Sequence, residues 1–160
     1  MPTKALKMIY YSYIYSHIIY LSPIWSGCTK YKLDQLYVLQ KRALKYVLNV
    51  HWRHSTEELF RNEFNSLPYL MNYELLLLIF KITHNLIKHN FDIKKLKSVH
   101  SHNTRRKSNF DIKFFSSYQL SNNVLYKGLN IYNKLPENVK NINCISKFKK
   151  ALQDYLPKII

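Results

Sequence analysis

The chain has 160 residues, which is enough for one domain with a loosely attached tail. A hydrophobic fraction of 47% excludes wholesale disorder, and only two glycines exclude the glycine-rich loops that bind phosphates or dinucleotides. The net charge of +16, from 25 Lys and Arg against 9 Asp and Glu, favours a polyanionic partner such as nucleic acid or an acidic membrane surface. Biased codon usage is the alternative source of this charge.

Residues 8–29, near the N-terminus, include no Asp, Glu, Lys or Arg. A signal peptide or a membrane anchor would also lack charged residues over such a length. Five tyrosines, several serines and Pro23 make this stretch more polar than either kind of segment, and no small-residue cleavage site follows. We therefore expect a buried amphipathic helix that ends near Ser22–Pro23. A membrane anchor over residues 8–29 remains the alternative.

Residues 31–48 repeat apolar side chains every three to four positions, which predicts an amphipathic helix. We interpret three cations on its polar face as phosphate contacts, namely Lys41, Arg42 and Lys45. A solvated basic surface is the alternative for these three residues.

Two more helices follow along the chain. Ser55 and Glu58 form a capping-box pattern, which predicts a helix over residues 56–64 and gives the adjacent acids Glu57 and Glu58 a structural role. Leu67–Pro68 then interrupts the chain, and a core helix is predicted over residues 72–88.

The composition changes near residue 90, and residues 91–108 are predicted to form an exposed basic linker. Its last cations, Arg105, Arg106 and Lys107, lie beside small hydrogen-bonding side chains, a composition suited to phosphate oxygens. A merely solvated loop is the alternative.

Beyond the linker, alternating residues from Phe110 and the run Val124–Tyr126 predict a small β-hairpin near residues 109–127, which Gly128 would end. A short helix over residues 129–135, stopped by Pro136, and a last helix over residues 146–156 complete the pattern. The predicted fold is therefore mainly α, a helical bundle with that hairpin and a C-terminal helix. Its predicted parts are residues 1–90, a helical domain, the linker over residues 91–108, and residues 109–160.

Residues that would support catalysis are scattered. The four aspartates are isolated, and none stands in a Tyr-x-Asp-Asp context: Asp34, Asp92, Asp111 and Asp154. The histidines lack a cysteine pair at zinc-site spacing, and Cys28 and Cys144 form no disulfide framework. We predict no catalytic residue, no metal or other cofactor and no small-molecule substrate. The two lone cysteines favour an intracellular compartment, nuclear or cytoplasmic.

The C-terminal segment from Tyr126 to Pro136 fits the pattern Y-x-G-x-x-x-[WY]-N-x-L-P, and Phe148–Leu152 fits F-K-K-x-L. These two motifs resemble the end of the reverse transcriptase of jockey-like non-LTR retrotransposons. Further matches precede them in the family's order and extend the resemblance over residues 9–156. His17, Tyr20 and Trp25 match a helix of the family's thumb region. Residues Leu36–Val47 match the pattern L-x-x-L-Q-x-x-A-x-R-x-I at Leu36, Leu39, Gln40, Ala43 and Val47. Residues His100–Arg105 match H-S-Y-N-T-R, except that His102 replaces the tyrosine.

The resemblance implies a thumb-like domain over residues 1–90, downstream of the polymerase palm and fingers. The chain would be a non-catalytic C-terminal fragment of an RNA-directed DNA polymerase that binds RNA, DNA or their hybrid without reading sequence. The palm and fingers would be its structural partner. Two alternatives stay open: an inert, truncated transposon relic with no selected activity, and a small membrane-associated protein anchored by residues 8–29.

Overall fold

The computed structural model describes residues 2–62, 64–91, 93–99, 108–112 and 122–156. These residues are mainly helical, and no strand occurs among them, in agreement with the predicted α class. The chain forms two compact units, residues 1–71 and residues 72–160.

The first unit begins with consecutive short helical segments. They are α1 (Thr3–Ile9), a π-helical segment (Tyr10–Tyr15), α2 (Ser16–Tyr20) and α3 (Ser22–Trp25). The hydroxyls of Ser12 and Ser16 donate to backbone carbonyls four residues earlier, a pattern that often bends helices. The predicted helix is present, but most of its surface is exposed; only Tyr10 and Ile18 are buried before Leu21.

The next two helices are α4 (Lys30–Leu48) and α5 (Thr56–Asn62). The predicted helix over residues 31–48 is confirmed. It ends where Asn49 takes a left-handed conformation (φ 51°) and the Val50 N–H donates to the Lys45 carbonyl, as in a Schellman motif. The Ser55 hydroxyl accepts from the Glu57 N–H at 3.4 Å and caps α5.

Two clusters of buried side chains form the core of the first unit. One contains Tyr10, Leu44, Val47, Leu59 and Phe64, and the other contains Ile18, Leu67, Leu70 and Met71. Gln40 of α4 is buried among them and connects three segments. Its Nε2 donates to Tyr10 Oη (3.1 Å) and to the Asn65 carbonyl (3.0 Å), and its Oε1 accepts from the Leu67 N–H at 2.8 Å.

The long core helix α6 runs over Leu67–Thr83, so the predicted bounds of 72–88 were displaced by five residues at each end. Pro68 does not break the chain, because it lies in the first helical turn, where its absent N–H has no intrahelical partner to lose. The helix ends early because Asn85 is left-handed (φ 54°) and the Leu86 N–H donates to the Lys81 carbonyl.

Among its described residues, the second unit has four helices downstream of α6. They are α7 (Leu96–Val99), α8 (Val124–Lys134), α9 (Glu137–Lys140) and α10 (Ile145–Tyr155). The predicted last helix is confirmed, and Lys134 ends α8 one residue before Leu135, which is extended ahead of Pro136.

The predicted hairpin near residues 109–127 was wrong. Residues Val124–Tyr126, expected as a strand, are the first turn of α8, which begins because the Asn123 side chain accepts from the Leu125 N–H at 2.9 Å. Phe110 forms only an isolated antiparallel bridge with Lys95, and residues 113–121 lie outside the described part of the chain.

Gly128 has a structural role that differs from the predicted one. It lies inside α8 without a positive φ, and an added Cβ would come within 2.7 Å of Ile79 Cγ1 and 3.2 Å of Leu75 Cδ1. A glycine is therefore required where α8 approaches α6 closely. Next to this contact, the buried rings of Phe80 and Phe148 stack with centroids 4.3 Å apart.

Asn133 attaches residues 108–112 to α8. Its Oδ1 accepts from the Phe110 N–H (2.8 Å), and its Nδ2 donates to the Phe110 carbonyl (3.0 Å). The side-chain amide thus makes the pair of hydrogen bonds that a residue of a neighbouring strand would make. Lys140 Nζ donates to Asn109 Oδ1 and to the Asn133 carbonyl, and burial lowers the pKa of its ammonium group, partly offset by Glu137.

Candidate nucleic-acid interface

Three of the six predicted phosphate-binding residues lie together on α4. Lys41, Arg42 and Lys45 occupy a sector of about 100° in the last turns of the helix, given 3.6 residues per turn. Lys45 lies in the last turn and also suits the negative end of the helix dipole.

Each of these cations has a different environment. Lys41 Nζ lies 4.0 Å from the centroid of the Tyr37 ring, a cation–π contact that leaves the ammonium group half-buried. Lys45 Nζ donates a short hydrogen bond to the Trp52 carbonyl. Arg42 is exposed and borders a shallow depression that is also lined by Tyr31, Asp34 and Leu39. Its guanidinium is therefore the most accessible of the three groups.

The other three predicted residues, Arg105, Arg106 and Lys107, lie outside the described residues, as does the whole His100–Arg105 match. Their assignment as phosphate contacts stays a prediction.

The structure adds a cation that the predicted set omitted. After α4, the chain makes a turn in which the His54 N–H donates to the His51 carbonyl (2.9 Å), with Trp52 and Arg53 at its tip. The Arg53 guanidinium lies 4.7 Å from the centroid of the Trp52 ring. The signal was present in the sequence, because an arginine directly follows a tryptophan in a short link between two helices.

Exposure separates two kinds of aromatic residue in this chain. Tyr132 is buried in the second unit, and Tyr37 is half-buried. In contrast, 81% of Tyr46 and 68% of Trp52 are exposed at the end of α4 and in the turn that follows it. Only the exposed rings have free surface for a planar ligand.

The same part of the chain has a uniform charge. Residues 35–56 include Lys41, Arg42, Lys45 and Arg53 and contain no Asp or Glu. The nearest acids in sequence are Asp34 on α4 and the pair Glu57 and Glu58 in the first turn of α5, where Glu58 lies 3.6 Å from His54. We call Lys41, Arg42, Lys45, Tyr46, Trp52 and Arg53 the α4 basic–aromatic surface.

A second set of exposed cations lies on α10. Lys147, Lys149 and Lys150 are exposed, while Phe148 and Leu152 on the same helix are fully buried. Lys149 interacts with Glu74 of α6, whose carboxyl pKa is raised mainly by burial. These lysines are adjacent to no exposed aromatic ring on their own helix, which distinguishes them from the α4 basic–aromatic surface.

The described residues contain no candidate metal site. Within that part of the chain, no three His, Cys, Asp or Glu side chains lie close enough together to hold a metal ion. Across the same ranges, none of the helices has both the length and the apolar character needed to cross a membrane.

Comparisons with protein-family models, with curated proteins and with solved structures found no match. The resemblance to the jockey-like reverse transcriptases therefore stays a prediction.

Proposed function

We propose that this chain is a non-catalytic C-terminal fragment of a retrotransposon reverse transcriptase, an RNA-directed DNA polymerase, that binds RNA or DNA through its basic surface. The clustering of Lys41, Arg42 and Lys45 on one side of α4, in a stretch without acids, is the observation that carries the proposal. Such a cluster neutralises phosphates without reading base identity.

The net charge of +16 adds a long-range field that attracts a polyanion before contact. Both compact units share this field. Residues 1–71 carry nine Lys and Arg against four Asp and Glu, and residues 72–160 carry sixteen against five. The proposal includes Arg105, Arg106 and Lys107 as further phosphate contacts from the second unit.

The positions that match the family patterns have clear physical roles here, which supports the resemblance. Gln40 organises the first core by hydrogen bonds, Asn133 attaches residues 108–112 to α8, and Phe148 stacks on Phe80. Gly128 allows close helix packing.

The proposal also names a structural partner, the palm and fingers of the polymerase. Large apolar side chains on the N-terminal helical segments are exposed, among them Met8, Tyr13, Tyr20 and Ile24. A surface of this kind is typical of a segment that packs against another part of an assembly. The non-catalytic part of the proposal rests on the isolated aspartates of the sequence.

The test is a binding titration with a labelled oligonucleotide at several salt concentrations between about 50 and 300 mM, since counterion release makes affinity salt-dependent. If about five phosphates are engaged, log affinity falls with log salt at a slope of about −4 to −5. The variant Lys41→Gln/Arg42→Gln should lower the magnitude of this slope by about 2.

The matched control is Lys147→Gln/Lys150→Gln, which removes the same charge from α10. It should leave the slope closer to the wild-type value than the α4 variant does. An equal loss in both variants would assign the effect to net charge and not to α4. A flat salt response of the wild-type chain would contradict nucleic-acid binding and favour the inert relic.

A further inference from the structure

The α4 basic–aromatic surface contains two features that a phosphate-binding role alone does not explain. Tyr46 is 81% exposed and Trp52 is 68% exposed, although a packed aromatic side chain of this size buries about 150–250 Å² and so favours folding. Single exposed aromatic residues are common on protein surfaces. These two differ because they lie among cations in a stretch without acids.

Lys45 connects the end of α4, which carries Tyr46, to the turn that carries Trp52. It directly precedes Tyr46 on α4, and its Nζ donates to the carbonyl of Trp52 in the turn after the helix. The turn itself is closed by the hydrogen bond from His54 to His51. The Trp52 carbonyl therefore accepts one hydrogen bond, and a second one closes the turn that contains Trp52, while 68% of the residue is exposed.

A positive charge lies beside the indole ring. Arg53 lies 4.7 Å from its centroid, and the His51 ring lies 5.6 Å away at an interplanar angle of 37°. The guanidinium can bind a phosphate, and the exposed ring next to it offers a flat surface for a base.

From this arrangement we infer that the α4 basic–aromatic surface binds single-stranded nucleic acid, with bases stacked on Trp52 and Tyr46 and phosphates paired with Lys41, Arg42 and Arg53. Sites for single strands combine a cationic track with aromatic side chains that stack on successive bases. A duplex offers no such contact, because its bases are already stacked on each other. The inference rests on the proposed function and specifies its substrate class.

The first measurement compares a single-stranded 15-mer, as RNA and as DNA, with a duplex that has about the same total number of phosphates. Anisotropy of the labelled strand gives the affinity at one salt concentration. Both single strands should bind more tightly than the duplex, because only they add stacking to the shared electrostatic attraction.

The second measurement uses variants that keep every charge. Trp52→Ala and Tyr46→Ala should each weaken single-strand binding by roughly five- to a hundredfold, the range that one stacked base contributes, and leave duplex binding unchanged. Trp52→Phe keeps a stacking ring and should retain most of the affinity. Tyr20→Ala is the matched control, because Tyr20 is 80% exposed but has no cation beside it in the sequence.

The third measurement observes the contact directly. The chain has two tryptophans, so in a Trp25→Phe background the fluorescence reports on Trp52 alone. Single strands should quench this fluorescence to saturation at the same concentration that saturates the anisotropy.

The outcomes separate the two proposals. Equal, salt-dependent binding of single strands and duplex that Trp52→Ala does not alter would overturn the single-strand inference and leave the proposed function standing. Loss of binding in Tyr20→Ala equal to that in Tyr46→Ala would also overturn it. Absence of salt-dependent binding to any of the three oligonucleotides would overturn both.

Discussion

Residues 1–71 and residues 72–160 each bury helices around a central contact, but the chemistry of that contact differs. In the first unit the amide of Gln40 makes three hydrogen bonds to Tyr10, Asn65 and Leu67. In the second unit the stacked rings of Phe80 and Phe148 occupy the fully buried position. The first contact depends on the direction of hydrogen bonds, and the second depends on how well two side chains pack. The stabilities of the two units should therefore respond differently to the same kind of mutation.

The largest effect is expected for Phe148→Ala in the second unit. The ring is fully buried, and its removal leaves a cavity beside Phe80, so we expect a loss of about 3–5 kcal/mol in the free energy of unfolding. Urea denaturation followed by far-UV circular dichroism measures this loss. Phe91→Ala is the matched control, because this phenylalanine is exposed and its truncation should cost far less.

Gln40→Leu tests the first unit. The substitution approximately preserves volume but leaves the Leu67 N–H, the Asn65 carbonyl and the Tyr10 hydroxyl without their partner, and each such group costs about 1–3 kcal/mol. We expect a total loss of about 3 kcal/mol, since part of the network will reach water. Both tryptophans lie in residues 1–71, so their fluorescence follows the transition of this unit.

Gln35→Leu is the control for Gln40→Leu, because it makes the same change on the exposed side of α4. If the two variants were equally stable, the hydrogen-bond network would not determine the stability of the first unit. The polar centre of the first unit would then not contribute to the free energy of unfolding in the way proposed here.

Gly128→Ala tests shape complementarity in the second unit. A methyl group at this position collides with Ile79, which we expect to cost about 1–3 kcal/mol, reduced by the gain in helix propensity of about 1 kcal/mol. Ile79→Val removes Cδ1, one of the two atoms closest to the added methyl, and should partly rescue the variant. Strict additivity of the two substitutions would exclude a direct collision.

The sequence correctly predicted the helices in which the apolar periodicity and the residues that mark the helix ends indicate the same bounds. The helices over residues 31–48 and 146–156 have clear apolar periodicity, and the structure has them at Lys30–Leu48 and Ile145–Tyr155. The cation cluster on α4 was predictable for the same reason, since a helix of known register places Lys41, Arg42 and Lys45 on one side.

The errors have a common physical origin, because short-range propensity competes with tertiary contacts. Val124–Tyr126 is β-prone, but Asn123 caps a helix there, and Gly128 serves close packing on Ile79 rather than a turn. Neither partner of Gly128 is near it in sequence, so no local pattern contains this contact. The exposure of Tyr46 and Trp52 was likewise not predictable, because it depends on which helices cover which faces.

The smallest expected effect concerns pH and sharpens the description of the second unit. Burial raises the pKa of the half-buried Glu74 carboxyl, while Lys81 and Lys149 lower it in part. Because the folded pKa exceeds the unfolded one, the stability due to this group is complete below the ordinary pKa of glutamate and is lost as pH rises through the raised pKa.

Glu74→Gln should remove this decline, so the stability of the variant relative to wild type should increase with pH over the interval from the ordinary to the raised pKa. Urea midpoints measured across that interval test the expectation, with the exposed Asp154→Asn as control. Lys149→Gln removes one of the two cations that stabilise the carboxylate and should extend the decline to higher pH. A decline that Glu74→Gln leaves intact would show that another titrating group causes it.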